Sequence, residues 1–111
     1  MTDITAIVVS ALSALKRTAT ERPKNPPSEM YTVRRLGGSG DRFTEQARIV
    51  VHCWAKSDAA AADMAMKAAE LLIALPDTEA NVSDATQDSL YSNDLDGEHR
   101  WSLNMLFTIN R

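Results

Sequence analysis

The stretch from Met30 to Leu75 constrains the fold of this 111-residue chain more than any other part of it. It begins with a strand-like run at about 30–36 and passes through a glycine-rich segment into an apolar run at about 47–55. An alanine-rich helix follows at once from Ser57. Two strands followed by a helix favour a sheet that carries a helix on one of its faces.

The run at 47–55 carries large apolar groups on both of its faces. Ile49 and Val51 share one face, and Val50 and Trp54 share the other, because successive side chains of a strand point in opposite directions. The pattern predicts a central strand that is partly covered on both sides.

The connection between the two strands, from Gly37 to Gln46, is too long for a tight hairpin turn. With three glycines and several charges, it is predicted to be a mobile projecting loop.

Two helices are predicted. The first runs from Asp3 to about Ala19, since its apolar residues follow helical spacing; they are Ile4, Ile7, Val8, Ala11, Leu12 and Leu15. The second begins at the N-cap Ser57 and runs to Leu75, because Pro76 cannot continue it. Its predicted buried stripe is Ala62, Ala65, Met66, Ala69, Leu72 and Ile73. Between the first helix and the first strand, the proline-rich segment 21–29 should be an extended connector.

The rest of the chain completes a sheet. Residues 80–92 are weakly strand-like, residues 93–98 indicate a turn, and residues 100–110 alternate between apolar and polar side chains. The last strand is therefore expected to have one face on the core and one wet face. The order is helix, strand, strand, helix, strand, strand. It predicts one α+β domain over residues 1–111, a mostly antiparallel sheet of about four strands with two helices packed on it.

Composition favours self-association. Hydrophobic residues make up 44% of the chain, but sixteen of them are alanine, so large core formers are few. A monomer of this size buries only about two-thirds of its unfolded surface, and copies of itself would relieve that shortage. The net charge of −3 argues against nucleic acid as a main partner. No stretch approaches the roughly 20 apolar residues that span a bilayer.

Charge is unevenly distributed along the chain. Residues 16–48 contain eight Lys or Arg against four acids, and residues 76–98 contain seven acids and no base. One interpretation is a solvated acidic loop. The other is a pair of complementary edges, with the basic patch of one copy against the acidic patch of the next.

Catalytic and nucleotide motifs fail on their spacing. The glycines at 37–40 lack the Gly-Lys-Ser/Thr and the following helix of a P-loop. Ser13 and Lys16 match a Ser-x-x-Lys pattern, but its companion Lys-Thr-Gly is missing. His52 and Cys53 are neighbours on a strand and therefore point to opposite faces. We expect that the protein is not an enzyme.

Metal and cofactor motifs fail in the same way. The acidic segment 94–98 resembles a fragment of a calcium loop, but Leu103 stands where a bidentate glutamate is required. Two histidines and one cysteine cannot close a zinc site without carboxylates. No cofactor and no metal are predicted.

The chain resembles siphophage tail terminator proteins along nearly its whole length. Residues 31–38 resemble their V-x-R-x-G-G strand and turn, residues 49–55 their apolar V-x-x-W-A strand, and residues 57–65 their alanine-rich helix. Residues 100–109 are similar to their terminal strand. Each motif is short, and the resemblance depends on their order and spacing.

The resemblance implies a structural virion protein that is made in the host cytoplasm. Proteins of this kind form a hexameric ring on the head-facing end of the tail tube, which stops tube growth and offers a docking surface to the head connector. The implied partners are copies of the chain, the tail tube protein and the head–tail connector protein. DNA would pass through only transiently, without sequence preference, and no membrane is involved.

Ring-interface, lumen or tube contacts are expected at both charged regions; the candidates are Arg34, Arg35, Gly37, Gly38, Arg42, Arg48, Asp94 and Asp96. Two other functions stay open. One is another head–tail joining or tail completion protein, and the second is a small cytosolic ligand-binding or regulatory domain with an apolar pocket. A third, a small hydrolase, would need an activated nucleophile, which the sequence does not show.

Overall fold

The computed structural model describes residues 3–95 and 97–110. Its elements are α1 (Ile4–Leu12), β1 (Thr18–Ala19), β2 (Met30–Gly40), β3 (Thr44–Ala55), α2 (Asp58–Ile73), a 3-10 turn (Leu75–Asp77), β4 (Val82–Ser92) and β5 (His99–Asn110). The strands form one sheet in the order β1-β2-β3-β5-β4. β1 is parallel to β2, and the other neighbours are antiparallel.

The predicted α+β class with two helices on a mostly antiparallel sheet is confirmed. The predicted element order is wrong in one respect, because the short strand β1 precedes the first predicted strand and makes the sheet five-stranded and mixed. β3 is central as predicted, and it pairs along its length with β2 on one side and β5 on the other.

Helix α1 ends at Leu12 rather than near Ala19. The amides of Leu15 and Lys16 both bond the carbonyl of Leu12, which closes the last turn. The carbonyl of Arg17 then accepts from Tyr31 of β2 at 2.9 Å. Pairing with a strand distant in sequence thus overrides the helical spacing of the apolar residues.

Both helices pack on the same face of the sheet, the helix-covered face. α1 contributes Ile4, Val8 and Leu12, and the sheet contributes Ile49, Val51, Leu103, Met105 and Phe107 to the same core cluster. Several α2 residues facing the sheet are alanines, such as Ala65 and Ala68, which lets the helix axis approach closely. The core has few large side chains, and the short distance between α2 and the sheet leaves little space for them to fill.

The predicted buried stripe of α2 is rotated by about one residue. Met66 and Ile73 are 58% and 47% exposed, whereas the buried residues are Ala61, Met64, Ala65, Ala68, Ala69 and Leu72. The buried Tyr31 hydroxyl donates to the Met64 carbonyl at 2.7 Å and fixes this orientation. The predicted N-cap is confirmed, since the Ser57 hydroxyl accepts from the Ala60 amide at 3.1 Å.

The opposite, helix-free face is covered by long side chains instead of a helix. The guanidinium carbons of Arg22 and Arg100 lie 4.1 and 5.1 Å from the ring centroid of Trp54. The Trp54 indole nitrogen donates to the Thr32 hydroxyl at 3.1 Å. The wet face predicted for the last strand is wrong at Ser102, which is fully buried here.

The predicted mobile loop at 37–46 is wrong: it is a hairpin. β2 and β3 remain paired out to Gly40 and Glu45, and three residues form the turn. The Asp41 carboxylate accepts from the amides of Phe43 and Thr44 at 2.9 and 2.8 Å. These two hydrogen bonds stabilise the short turn. Residues 36–43 form an exposed arm, and the molecule measures 44 × 23 × 23 Å.

The weak strand prediction at 80–92 is confirmed by β4, which has irregular pairing around Ser83 and Asp88. The predicted turn at 93–98 is confirmed as well. Leu95 and Glu98 form a bridge, and Gly97 has φ +78°, a conformation that glycine adopts without strain. Asp96 lies outside the described residues.

Candidate assembly surface on the sheet edges

The predicted site residues do not converge on one pocket. Arg34 and Arg48 lie on the helix-free face, because Arg34 pairs with Val50 and Arg48 with Gly37. Arg35 pairs with Ile49 and points to the helix-covered side. These predicted site residues are therefore spread along the sheet and over both of its faces.

The outer side of β2 is open beyond the end of β1. β1 pairs only with Tyr31 and Thr32, so from Val33 to Gly40 no other described strand lies on that side of β2. We call this segment the basic edge, since it carries Arg34 and Arg35. Among the described residues, Arg34 forms no ion pair within the chain.

A cleft of about 440 Å³ opens at the basic edge. It is lined by Thr5 of α1, by Thr20 and Glu21 just after β1, and by residues 33–35 of β2. The cleft exists because the chain turns away from β2 after only two paired residues, leaving a gap beside the strand.

The other edge of the sheet is acidic. β4 pairs only with β5, and it carries the exposed Asp84 and Asp88; we call this strand the acidic edge. Asp88 lies 3.3 Å from Arg48, but both side chains are more than half exposed, so solvent screens that pair strongly. Asp84 accepts a hydrogen bond from the Thr86 hydroxyl and has no cationic partner among the described residues.

Arg35 and Arg42, unlike Arg34, each have a partner within the hairpin. Arg35 already bonds Glu45 at 2.6 Å across the hairpin. Arg42 lies at the tip of the arm, with its guanidinium carbon 5.9 Å from the ring centroid of Phe43. Phe43 is 72% exposed, so the tip of the arm presents a cation and a solvent-exposed aromatic ring side by side.

Gly37 and Gly38 have a structural explanation. Pairing shifts between Arg35 and Gly37, which leaves Leu36 as a bulge, and Gly37 has φ +132°. A Cβ on Gly38 would lie 2.0 Å from the carbonyl oxygen of Gln46. Both glycines are therefore required by the backbone of the arm, and their predicted contact role stays untested.

Asp94 lies at the other end of the sheet from the arm. Its carboxylate accepts from the Arg100 amide at 3.2 Å and lies 3.5 Å from His99 Nδ1. Asp94 therefore stabilises the turn before β5. This local structural role also explains an aspartate at this position, without the predicted interface contact. Asp96, the other acidic candidate, is not among the described residues.

Arg22 is a cation that sequence reasoning missed. It bonds both carboxylate oxygens of Glu98, and this hydrogen bonding lowers the pKa of Glu98. It thereby ties the connector to the turn before β5 while stacking over Trp54. Nothing in the spacing of the proline-rich segment indicates this role, because both partners are distant in sequence.

A cleft of about 250 Å³ beside Trp54 bears on the ligand-binding alternative. Its lining includes Pro26, Pro27, Lys56 and His99, and it opens to solvent. It is not the enclosed apolar pocket that such a function predicts.

A buried polar network on the helix-free face joins His52 to Ser102. His52 Nδ1 lies 2.9 Å from the Ser102 hydroxyl, which also accepts from the side-chain Nδ2 of Asn93 at 3.1 Å. Burial, with Arg100 and Arg34 nearby, lowers the pKa of His52 to about 4. The Ser102 side chain has no exposure, so a substrate cannot reach it. The network is structural, and only the strand register reveals it.

Cys53 lies on the opposite side of β3 from His52, as predicted. It is fully buried, and burial raises the pKa of its thiol to about 12. Burial also raises the pKa of Tyr31. A thiol held neutral in the core is a packing group.

No protein-family model and no curated protein matches the chain. Across residues 3–95 and 97–110, no three His, Cys, Asp or Glu side chains come close enough to hold a metal ion. No helix in the described part of the chain is long and apolar enough to cross a membrane.

Proposed function

We propose that the protein is a structural virion subunit of the tail terminator kind. Its copies close into a ring, a hexamer, on the head-facing end of the tail tube, end tube polymerisation and give the head connector its docking surface. The observation that carries the proposal is the placement of the basic edge and the acidic edge on opposite sides of a single sheet.

Opposite charges on opposite edges favour head-to-tail contact between copies. Two basic edges repel each other, as do two acidic edges, so the electrostatically favoured contact joins one of each. A head-to-tail contact repeated by rotation closes into a ring when the rotation angle divides a full turn. Contact between copies also buries additional surface, which stabilises a chain that has few large core residues.

Within such a ring, the helix-free face is assigned to the bore and the helices to the outside. Arg34 and Arg48 on that face would meet passing DNA through its phosphates alone, weakly and without sequence preference. The arm, with Phe43 and Arg42 at its tip, is assigned to contact with the tail tube protein.

The proposal is tested with purified protein and isolated tail tubes. Native mass spectrometry should give a six-fold species, alone or with tube ends, and electron microscopy should show one ring at the head-facing end of each tube. Deletion of the gene should yield tubes of uncontrolled length that fail to join heads. Intact infectious virions from the deletion strain would contradict the proposal.

Partner capture separates the terminator from other neck proteins. A terminator binds tail tube subunits directly, and the Phe43→Ser variant should weaken that binding while leaving the ring intact. Leu95→Ser is the matched control, because Leu95 is also an exposed apolar residue but lies at the other end of the sheet. Capture of the connector without tube subunits would favour a head–tail joining protein instead.

A further inference from the structure

The basic edge has the shape of a slot for an extended strand. The segment from Val33 to Gly40 belongs to β2, with a bulge at Leu36 and a positive φ at Gly37, and only its inner side is paired. At about 3.4 Å per residue, these eight residues present roughly 27 Å of open strand. The cleft beside residues 33–35 is also lined by Thr20 and Glu21, which follow β1, so an incoming strand would stop at the end of β1.

The acidic edge offers a strand of suitable length and direction. β4 spans eleven residues, and its outer side is unpaired by any described strand. Within the sheet β4 runs antiparallel to β2, because β2, β3, β5 and β4 alternate in direction. Rotation of a copy about an axis along the strands keeps these directions, so β4 of one copy meets β2 of the next as an antiparallel partner.

We propose that neighbouring copies join by antiparallel pairing of β4 with Val33–Gly40 of β2, so that one sheet continues from copy to copy. The inference rests on the proposed ring and names the contact that builds it. The occupant of the slot is a second copy, since the basic edge and the acidic edge are complementary in charge.

Side-chain direction supports the pairing. Arg34 and Asp84 both point to the helix-free face, as their partners Val50 and Thr108 show. In a continuous sheet they remain on one face, but the strand ladder places Arg34 level with Ser89 and Asp84 level with Ser39. The two residues therefore contribute to the opposite charges of the two edges and do not form a direct pair. Both side chains lack an ion pair within the described chain, so neither has to give one up.

Bulges shape both edges. β2 has an irregularity at Leu36, and β4 has two, at Ser83 and Asp88. Bulges increase twist and bend a strand, which discourages indiscriminate pairing and gives a continuous sheet the curvature that closure requires.

Charge reversal tests which edges meet. Arg34→Glu leaves the basic edge net neutral beside Arg35, and Asp84→Lys leaves the acidic edge net neutral beside Asp88. Each variant alone removes the charge complementarity and should lose at least ten-fold in ring yield. An equimolar mixture should recover rings in which the two variants are neighbours, detected by native mass spectrometry. Lys24→Glu and Glu70→Lys carry the same charge changes on exposed positions away from the edges and should assemble normally. Full assembly of either edge variant alone would overturn the pairing.

Hydrogen exchange tests whether the backbone takes part. On ring formation, amides in 33–40 and 82–92 should exchange at least about ten-fold more slowly, while those of α2 should change little. Rings that form without this protection would overturn strand pairing and leave the terminator function standing. A protein that stays monomeric even with tail tubes would overturn both.

Discussion

The two faces of the sheet are stabilised by different kinds of interaction. On the helix-covered face, α1 and α2 exclude water from an aliphatic core that contains Leu103. On the helix-free face, Trp54 is covered by the guanidinium groups of Arg22 and Arg100, and polar networks fill the space between strands. The comparison teaches that folding stability comes mainly from the first face, whereas the second keeps charged groups available for a partner.

Truncation of one leucine on each face should give the largest difference. Leu103→Ala should lower the free energy of unfolding by about 3 kcal/mol, because it leaves a cavity in a fully buried site. Leu106→Ala, on the same strand but on the half-buried opposite face, should cost about 1 kcal/mol. Urea unfolding measures the free energy of unfolding of both variants. Equal losses would contradict the conclusion that the helix-covered face supplies most of the folding stability.

Acid should destabilise the protein through His52 on the helix-free face. Its folded pKa is about 4, below the ordinary value of 6.5, so the unfolded chain binds a proton first as pH falls. Stability is then lost between pH 6.5 and 4, by about 1–2 kcal/mol after allowance for solvent screening. His52→Gln should remove this part of the slope in thermal unfolding measured across that range. An unchanged slope would show that the imidazole is not responsible.

Removal of the Arg22 side chain should have a smaller effect. Arg22→Met keeps an apolar stem near Trp54 but loses the cation–π contact, at a cost of about 1 kcal/mol. It also loses the bonds to Glu98, which is exposed to solvent. Lys24→Met, two residues away on the same connector, serves as its control and should be neutral. Denaturant midpoints compare the two, and a loss as large as that of Leu103→Ala would contradict the secondary role of this face.

The smallest effect is expected at Arg48. Arg48→Gln breaks its exposed pair with Asp88, which should change the free energy of unfolding by less than about 0.5 kcal/mol. A change of several kcal/mol in unfolding would show instead that the pair belongs to the folding core.

Local sequence signals predicted the regular parts of the fold well. Ser57 capped α2 as expected, β3 was central because both of its faces carry apolar groups, and the alternation in β5 was real. These features depend on hydrophobic periodicity and capping, which are properties of short segments.

Long-range pairing explains what local signals missed. The end of α1 and the existence of β1 depend on Tyr31, and the arm depends on the carboxylate of Asp41. Gly37 and Gly38 were predicted as contact residues, but backbone geometry alone requires glycine there. For the candidate site, the sequence indicated the division of charge, while only strand order places Arg34 and Asp84 on opposite edges.

Because Cys53 is buried, a cysteine introduced into the arm can be labelled without competition from the native thiol. The chain has one cysteine, and it is shielded in the core with a thiol that stays protonated at neutral pH. A Phe43→Cys variant therefore carries one thiol that reacts with maleimides, without removal of the native cysteine. A fluorophore or spin label at that tip can follow the arrival of a tube end in real time.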